Sequence, residues 1–204
     1  MARKFTELAF TPSVKAAQDV MGVRSSNEAL ERSPVTFDRL GPSEIQFVEA
    51  RDGFYQSTVG ENGWPYVQFR GGRPGFLKVI DDRTIAYADL RGNRQYISVG
   101  NLSADDRVAL ILMDYARRSR LKIWARAKIV SIDDDPELFE KIAPDPEGNA
   151  VVERLVVLSV EAYDWNCPQH ITPRFTVEEL REYIEPLHER IAELEAELKA
   201  KEER

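Results

Sequence analysis

Hydrophobic and polar positions change their spacing twice along the chain. Through residue 50, apolar residues recur at helical intervals. One such segment runs from Ser13 to Gly22, where the glycine is a typical helix stop, and another begins at Pro42 and ends before Gly53. The pattern predicts an N-terminal helical extension over residues 1–41, followed by a separate domain.

The centre of the chain carries short segments rich in β-branched and aromatic residues, separated by turn residues such as Asp81-Asp82. Successive strands with tight links favour an antiparallel sheet that closes on itself over βαβ units. Short helices are expected over 95–102 and 136–142. The predicted strands are Phe54–Val59, Pro65–Arg70, Phe76–Ile80, Thr84–Ala88, Val108–Asp114, Leu121–Ile132 and Val151–Val160.

Residues 176–204 predict a charged amphipathic helix. Thr176 and Glu179 have the spacing of a capping box, and Pro186 predicts a kink or a junction between two helices. Apolar residues then recur at alternating intervals of four and three, which is heptad spacing. The stripe either covers the helix's own domain or mediates self-association, and the sequence leaves both open. The stripe consists of Leu180, Ile184, Leu187, Ile191, Leu194 and Leu198.

Length and composition indicate a soluble globular protein. The chain has 204 residues, of which 43% are hydrophobic, enough for one domain with a substantial core. No signal peptide or transmembrane run is recognisable. The single cysteine, Cys167, allows no intrachain disulfide, which fits a reducing compartment. We therefore expect a cytoplasmic protein without a membrane partner.

The net charge of −7 is unevenly distributed. Residues 176–204 contain 10 acidic and five basic side chains, a net charge of −5, which leaves −2 for the rest of the chain. A nearly neutral body with local basic clusters favours a small anionic ligand. A nucleic-acid-binding protein would show a wide basic face instead.

Several kinds of site find no support in the sequence. No P-loop motif is present, and Gly71-Gly72-x-x-Gly75 falls between two predicted strands, which predicts a hairpin loop and not a dinucleotide-binding turn. The two histidines, His170 and His188, belong to different elements, so no metal site is predicted. Cys167 lies close to His170 in sequence, but no third group to orient a catalytic pair is evident.

Cations and aromatic residues concentrate between residues 64 and 132. A polar loop with Gly92 and Asn93 opens a predicted short helix, whose first N–H groups are free to bind an anion. Arg94 beside it can contact a phosphate through two N–H groups. Arg70 and Lys78 are expected on neighbouring strands. Together with nearby tyrosines, these cations would suit a phosphorylated aromatic cofactor.

The order of motifs in this region resembles the FMN-binding split-barrel family of pyridoxamine 5'-phosphate oxidase-like proteins. The resemblance covers roughly residues 42–172, and Asn-Cys-Pro-Gln-His-Ile over 166–171 is similar to a branch of oxidase-related flavin-binding proteins. The motifs that carry it are VQFRGG (67–72), GFLKV (75–79), DLRGNRQYISVGNL (89–102), RVALILMDY (107–115) and RLKIWARAKIV (120–130).

This resemblance implies a mainly β fold, a six-stranded antiparallel split β-barrel over residues 42–175 with N-terminal helices and a long C-terminal helix. It also implies a homodimer with FMN at the subunit interface. The predicted cofactor-binding residues, with Lys78 added from the cations above, are Tyr66, Val67, Gln68, Arg70, Lys78, Tyr87, Asn93, Arg94, Gln95, Arg120, Asn166 and Gln169.

Two departures from the family pattern concern the substrate. The vitamer oxidases carry Arg-Lys in the phosphate turn, where this chain has Arg94-Gln95. They also carry an Arg two residues before a C-terminal His, where this chain has Pro168 before His170. Pyridoxamine phosphate is therefore not the expected substrate, and the sequence leaves the substrate and the electron donor open.

The resemblance favours an FMN-dependent oxidoreductase with a small-molecule substrate. In such a protein the flavin performs the redox chemistry and the chain supplies orientation and charge, for example through Arg120 near the ring. The sequence suggests no acid or base. The alternatives are a non-catalytic flavin, deazaflavin or haem-binding sensor, with His170 as the candidate haem ligand, and an interaction module that acts through the C-terminal helix.

Overall fold

A computed structural model describes residues 3–32, 36–143, 150–165 and 167–202. The chain divides into two compact units. The first contains Met1–Met113 and Arg120–Cys167, and the second contains Asp114–Ser119 and Pro168–Arg204. The site described below lies in the first unit.

The helices of the first unit begin where the sequence offers caps. The Thr11 side chain accepts a hydrogen bond from the Val14 N–H, and the Asp135 side chain accepts one from Leu138. Pro stands at the first position of three helices, where its missing N–H costs nothing. The helices are α1 (Lys4–Ala9), α2 (Pro12–Val20), α3 (Arg24–Glu31), α4 (Pro42–Glu49), α5 (Ile97–Ala104) and α6 (Pro136–Ile142).

Each predicted strand segment is present, and all of them join one sheet in the order β2-β1-β5-β6-β7-β4-β3. The sheet has seven strands, one more than the six implied by the resemblance, and β3 has only four residues. The strands are β1 (Gly53–Val59), β2 (Pro65–Gly71), β3 (Lys78–Asp81), β4 (Thr84–Leu90), β5 (Arg107–Asp114), β6 (Ser119–Val130) and β7 (Val152–Trp165).

The predicted hairpin at Gly71–Gly75 is wrong. β2 pairs with β1 and β3 pairs with β4, so the two strands lie at opposite edges of the sheet. Arg70 and Lys78 are therefore not on neighbouring strands. Consecutive strands usually pair. Here β2 pairs with the strand before it, β1, and β3 pairs with the strand after it, β4. The glycine-rich loop instead leads from one edge of the sheet to the other.

The sheet curls so that its two ends meet. Strands β2 and β4 are five positions apart, which in a flat sheet would separate them by about 24 Å. Arg70 of β2 nevertheless donates a hydrogen bond to Asp89 of β4 at 2.6 Å. A curled sheet whose edges are joined by side chains, and not by a backbone ladder, is the split barrel expected from the sequence.

The core fills the inside of this curled sheet, and α4 covers one end of it. Val48 of α4 is fully buried, and the indole N–H of Trp165 donates to the Glu44 carboxylate at 2.6 Å. The same carboxylate accepts the Gly41 N–H at 3.0 Å, so Glu44 ties the start of α4 to the end of β7. The largest fully buried apolar side chains are Phe54, Leu77, Ile85, Tyr87, Leu112, Leu121, Ile123, Leu155 and Leu158.

The second unit consists mainly of one long helix, α7 (Val177–Glu202). Its predicted capping box is present: the Thr176 N–H donates to Glu179 Oε2 at 2.8 Å, and the Glu179 N–H donates to Thr176 Oγ1 at 3.1 Å. The helix continues through Pro186, so the junction between separate helices does not occur. In the described part of the chain, no helix combines the length and apolar character needed to cross a membrane.

Candidate functional site

An open groove lies where β2, β4 and β7 meet the loop that leads into α5. We call it the β4–α5 groove. Its walls are mostly polar, and aromatic residues are present at both the β2 side and the loop side. The lining residues are Tyr66, Gln68, Arg70, Asp89, Leu90, Gly92, Asn93, Arg94, Gln95, Tyr96, Ile97, Ser98, Val99, Glu153 and Arg154.

The β2 wall follows from strand alternation. Residues directly opposite one another on paired strands share a face, so Tyr66, Gln68 and Arg70 lie on the same side as the buried residues of β1. Gln68 Oε1 accepts a hydrogen bond from Ser98 Oγ at 2.9 Å. This bond holds the start of α5 against β2 and fixes the orientation of the Gln68 amide.

The loop into α5 has an unusual backbone. Arg94 and Tyr96 adopt φ angles of 62° and 53°, in the left-handed region that non-glycine residues rarely occupy. The Asn93 side chain supports the turn by accepting the Gln95 N–H at 3.1 Å, and the Tyr96 hydroxyl donates to Glu153 at 3.2 Å. Each left-handed residue costs about 1–2 kcal/mol, and such conformations concentrate at ligand-binding sites.

A buried carboxylate forms the floor of the groove. Asp89 is 4% exposed and accepts hydrogen bonds from Arg70 Nη1 at 2.6 Å and from Arg154 Nη1 at 2.9 Å. We call these three residues the Asp89 clamp. It joins β2, β4 and β7, and it keeps the buried negative charge paired on both sides.

The second carboxylate of the groove, Glu153, is also held by guanidinium groups. It accepts hydrogen bonds from Arg91 Nε at 3.0 Å and from Arg154 Nη2 at 2.8 Å. The bond from Arg91 lowers the pKa of Glu153 below its usual value. Glu153 is therefore ionised at neutral pH and is a poor proton donor.

The cations of the groove are only partly neutralised. Three arginines and two carboxylates line it, which leaves a net charge of +1. Within the described residues, Arg94 makes no hydrogen bond or ion pair, and the buried Nε of Arg70 has no partner. The groove thus offers one whole guanidinium and one buried N–H donor to a ligand that accepts hydrogen bonds, preferably an anion.

The structure brings half of the predicted cofactor residues together in this groove. Tyr66, Gln68, Arg70, Asn93, Arg94 and Gln95 line it. The predicted Asn166 lies outside the described residues, and Gln169 belongs to the second unit.

Four other predicted residues lie in the described part of the chain but do not line the groove. Val67 is on the opposite face of β2 and is 59% exposed. Lys78 begins β3, and Arg120 is the second residue of β6. Tyr87 belongs to the core beneath the groove. Strand pairing and alternation, which the chain order alone does not reveal, decide these positions.

Tyr87 supports the groove from below. Its side chain is 1% exposed, its hydroxyl donates to Gln56 Oε1 at 2.9 Å, and the Arg70 guanidinium carbon is 5.9 Å from the ring centroid. Burial raises the pKa of Tyr87 to about 12. The phenol is therefore neutral at any ordinary pH and acts as a fixed hydrogen-bond donor below Arg70.

Sequence reasoning missed Asp89, Glu153 and Arg154 as site residues. Glu153 and Arg154 interrupt an otherwise apolar segment of β7, and this interruption was the available signal. Its meaning depends on the pairing of Asp89 with Arg154 across β4 and β7, strands that are more than 60 positions apart in sequence.

Comparison with known proteins gives a consistent assignment for the barrel. The model of the pyridoxamine 5'-phosphate oxidase family matches residues 45–165. No curated protein matches the chain. Among the described residues, no group of three or more His, Cys, Asp or Glu side chains is placed to hold a metal ion.

The solved structures that resemble this chain include three that the match covers over most of their length. A putative pyridoxamine 5'-phosphate oxidase from Lactobacillus delbrueckii is 22% identical, with 62% of this chain and 94% of that chain covered and a TM-score of 0.48. An FMN-binding protein from Syntrophomonas wolfei is 17% identical, with 73% and 97% covered and a TM-score of 0.45. The haem storage protein HutZ from Vibrio cholerae is 18% identical, with 62% and 94% covered and a TM-score of 0.43.

The Asp89 clamp predicts a large loss of stability when its carboxylate is removed. Asp89→Ala leaves the largely buried Arg70 without its ion pair and Arg154 with Glu153 alone, and we expect the free energy of unfolding to fall by about 3 kcal/mol. Urea denaturation measures the difference. Asp106→Ala, which removes an exposed ion pair with Arg126, is the control and should cost under about 1 kcal/mol. Equal effects of the two substitutions would contradict the clamp's structural role.

The buried phenol of Tyr87 predicts a loss of stability in alkali. An unfolded tyrosine ionises near its ordinary pKa of 10, whereas folded Tyr87 remains protonated until about 12. The stabilisation is complete below pH 10 and is lost as the pH rises towards 12, by roughly 2–3 kcal/mol for this group.

Tyr87→Phe should therefore flatten the decline of the free energy of unfolding between pH 10 and 12. The decline will not vanish, because Tyr163 also has a pKa raised to about 12 by burial. Tyr183→Phe, at an exposed position of α7, should leave the profile unchanged. Urea denaturation at several pH values decides the matter, and identical profiles for the wild type and Tyr87→Phe would disprove the assignment.

Proposed function

The chain belongs to the pyridoxamine 5'-phosphate oxidase family, and we propose that it is an oxidoreductase that uses FMN as its cofactor. The proposal rests on two hydrogen-bond donors of the β4–α5 groove that have no partner within the described residues. They are the Arg94 guanidinium and the buried Arg70 Nε. A buried N–H without a partner costs about 1–3 kcal/mol. A ligand that accepts a hydrogen bond at that point would recover this energy.

The groove residues fit the phosphate of FMN and a polar ring system. Asn93, Arg94 and Gln95 would hold the phosphate, since the strained turn is already shaped and Arg94 can donate two N–H groups. Arg70 and the Nε2 group of Gln68 would donate hydrogen bonds to the polar atoms of the flavin, and Tyr66 would pack against it. The site is thus formed before the ligand arrives, which lowers the entropy lost on binding.

Bound FMN would supply the transfer of a hydride or of electrons. The chain's contribution is binding and charge. The lowered pKa of Glu153 makes it unavailable as a proton donor in the groove, and Asp89 is held between Arg70 and Arg154. Arg120 remains a proposed contact of the flavin ring from β6.

Haem is less well supported as the ligand. None of the residues that line the groove is a histidine or a cysteine, the usual protein ligands of haem iron. Both histidines belong to the second unit. A deazaflavin, which has the same tricyclic outline as FMN, is the closest competitor and is an outcome of the experiment below.

We also propose that the chain forms a homodimer with the flavin at the subunit interface, and that the outer face of β1 and β2 contributes to the contact between the copies. Tyr55, Val67 and Phe69 lie exposed on this face. The rings of Tyr55 and Phe69 are 5.4 Å apart across the strand pair. A contiguous apolar patch of this kind is typical of an association surface.

A cytoplasmic location suits the exposed thiol of Cys167.

Flavin titration of Arg94→Ala tests the phosphate turn. We expect the wild type to bind FMN and the variant to bind it about tenfold to a hundredfold more weakly, because a charge-assisted hydrogen bond contributes about 1.5–3 kcal/mol. Flavin fluorescence quenching measures the affinity. Arg126→Ala, an exposed β6 arginine outside the groove, is the matched control. Equal affinities of all three proteins would remove Arg94 from the site, and tight binding of deazaflavin but not FMN would change the cofactor.

Anaerobic reduction of the FMN-loaded protein tests catalysis. We expect NADH, NADPH or a reduced deazaflavin to bleach the flavin absorbance faster than it bleaches free FMN at the same concentration. We expect no oxidation of pyridoxamine 5'-phosphate, because the chain departs from the family pattern at Gln95 and Pro168. A protein that binds FMN but accelerates no donor would be a flavin carrier or sensor, and the oxidoreductase proposal would then be wrong.

A further inference from the structure

The apolar stripe of α7 is exposed to solvent. Its six members, Leu180, Ile184, Leu187, Ile191, Leu194 and Leu198, are between 39% and 63% exposed. A helix takes most of its stability from packing of its apolar face. Six large apolar side chains on one face of a 26-residue helix therefore indicate a surface that a partner covers.

The residue types on the stripe indicate what the partner is. In heptad notation, Ile184, Ile191 and Leu198 occupy position a, and leucine occupies every d position of the stripe. Among parallel coiled coils, isoleucine at a with leucine at d favours two strands over three or four, because the β-branched side chain fits the geometry of that layer. The stripe is thus matched to a second helix of the same kind.

One pair of flanking charges, between Arg190 and Glu195, agrees with a parallel arrangement, whereas Glu197 and Glu202 at the end of the helix are a like-charge pair. Arg190 occupies position g, and Glu195 occupies position e of the next heptad. In a parallel, in-register pair these positions face each other across the seam, so two Arg190–Glu195 contacts form between the copies. In an antiparallel pair g positions face each other, so the Arg190–Glu195 contacts do not form, and a register centred near Arg190 places two Arg190 side chains together. The present contact of Arg190 with Glu193 is more than half exposed and weak, so it can exchange.

The apolar seam has a defined length, and the proline lies outside it. Pro186 falls at position c, on the outer side of the heptad, so it does not occupy the interface. The next d position after the stripe is Lys201, where the apolar seam stops. The seam from Leu180 to Leu198 is about 27 Å long.

We propose that α7 pairs, parallel and in register, with α7 of a second copy of this chain to form a two-stranded coiled coil. The proposal goes beyond the flavin-binding function and does not depend on it. Because the barrel is itself proposed to dimerise, total mass alone does not test the coil. The test must report which residues of α7 lie opposite each other.

Disulfide trapping in the full-length chain gives that information. In a Cys167→Ser background, Leu180→Cys and Leu194→Cys are made separately, with Ala196→Cys at the outer f position as the matched control. In the proposed coil, residue 180 faces residue 180 of the second copy, and residue 194 faces residue 194, each within disulfide distance. We expect both to cross-link under mild oxidation, to an extent that does not change on tenfold dilution, and Ala196→Cys to remain monomeric on denaturing gels.

The outcomes separate the arrangements. An antiparallel pair has a single crossing point, so at most one position can face itself. Cross-links at only one of residues 180 and 194 would overturn the parallel pairing. No cross-link at either, or equal cross-linking at Ala196→Cys, would overturn the coiled coil. Circular dichroism of each variant confirms that the chain is folded.

A charge exchange gives a second, independent readout. Arg190→Glu places like charges at the g–e contacts and should slow cross-linking at residue 194 severalfold. Adding Glu195→Arg should restore the rate, because it recreates two attractive contacts in the parallel coil. In an antiparallel pair the second substitution has no such effect. Failure of the double variant to recover would contradict the proposed register.

Discussion

The contact between Arg70 and Asp89 is the interaction on which the rest of the barrel depends. It joins strands that are five positions apart in the sheet, and Arg154 completes it from β7. No backbone ladder joins β2 to β4 among the described strands. A buried carboxylate requires paired, hydrogen-bonded cations, and this requirement fixes where the two sides of the curled sheet meet. The β4–α5 groove lies at that junction.

The same clamp determines what the groove can bind. Asp89 and Glu153 occupy Arg154 and the Nη1 of Arg70, so these cations are not available to a ligand. What remains is Arg70 Nε, buried and without a partner in the described chain, and Arg94 on the strained turn. The buried pairs thus form the wall, and the unpaired Arg94 guanidinium is available in the groove. This division supports a ligand with an anionic group and further hydrogen-bond acceptors.

The exposed apolar surfaces of the described residues include one on β1 and β2 and one on α7, and each has a pattern of its own. The outer face of β1 and β2 presents paired aromatic and β-branched side chains across an antiparallel ladder. The α7 stripe presents isoleucine and leucine in alternating heptad layers. In both proposed contacts, a surface of one chain packs against the same surface of a second chain, as in a two-fold symmetric dimer. A parallel coiled coil has its two-fold axis along its length and is compatible with such symmetry.

The sequence by itself determined the features that depend on near neighbours along the chain. Strand segments, the α6 helix, the Thr176–Glu179 cap and the polar turn with Asn93 and Arg94 follow from local periodicity or turn chemistry, and the family resemblance added Gln95. The tertiary structure alone decided the features that depend on strand pairing. It separated β2 from β3, buried Tyr87, turned Val67 outward and brought Asp89 to Arg154. Pairing between distant strands depends on how the whole sheet curls to bury its core, and no short stretch of residues encodes that.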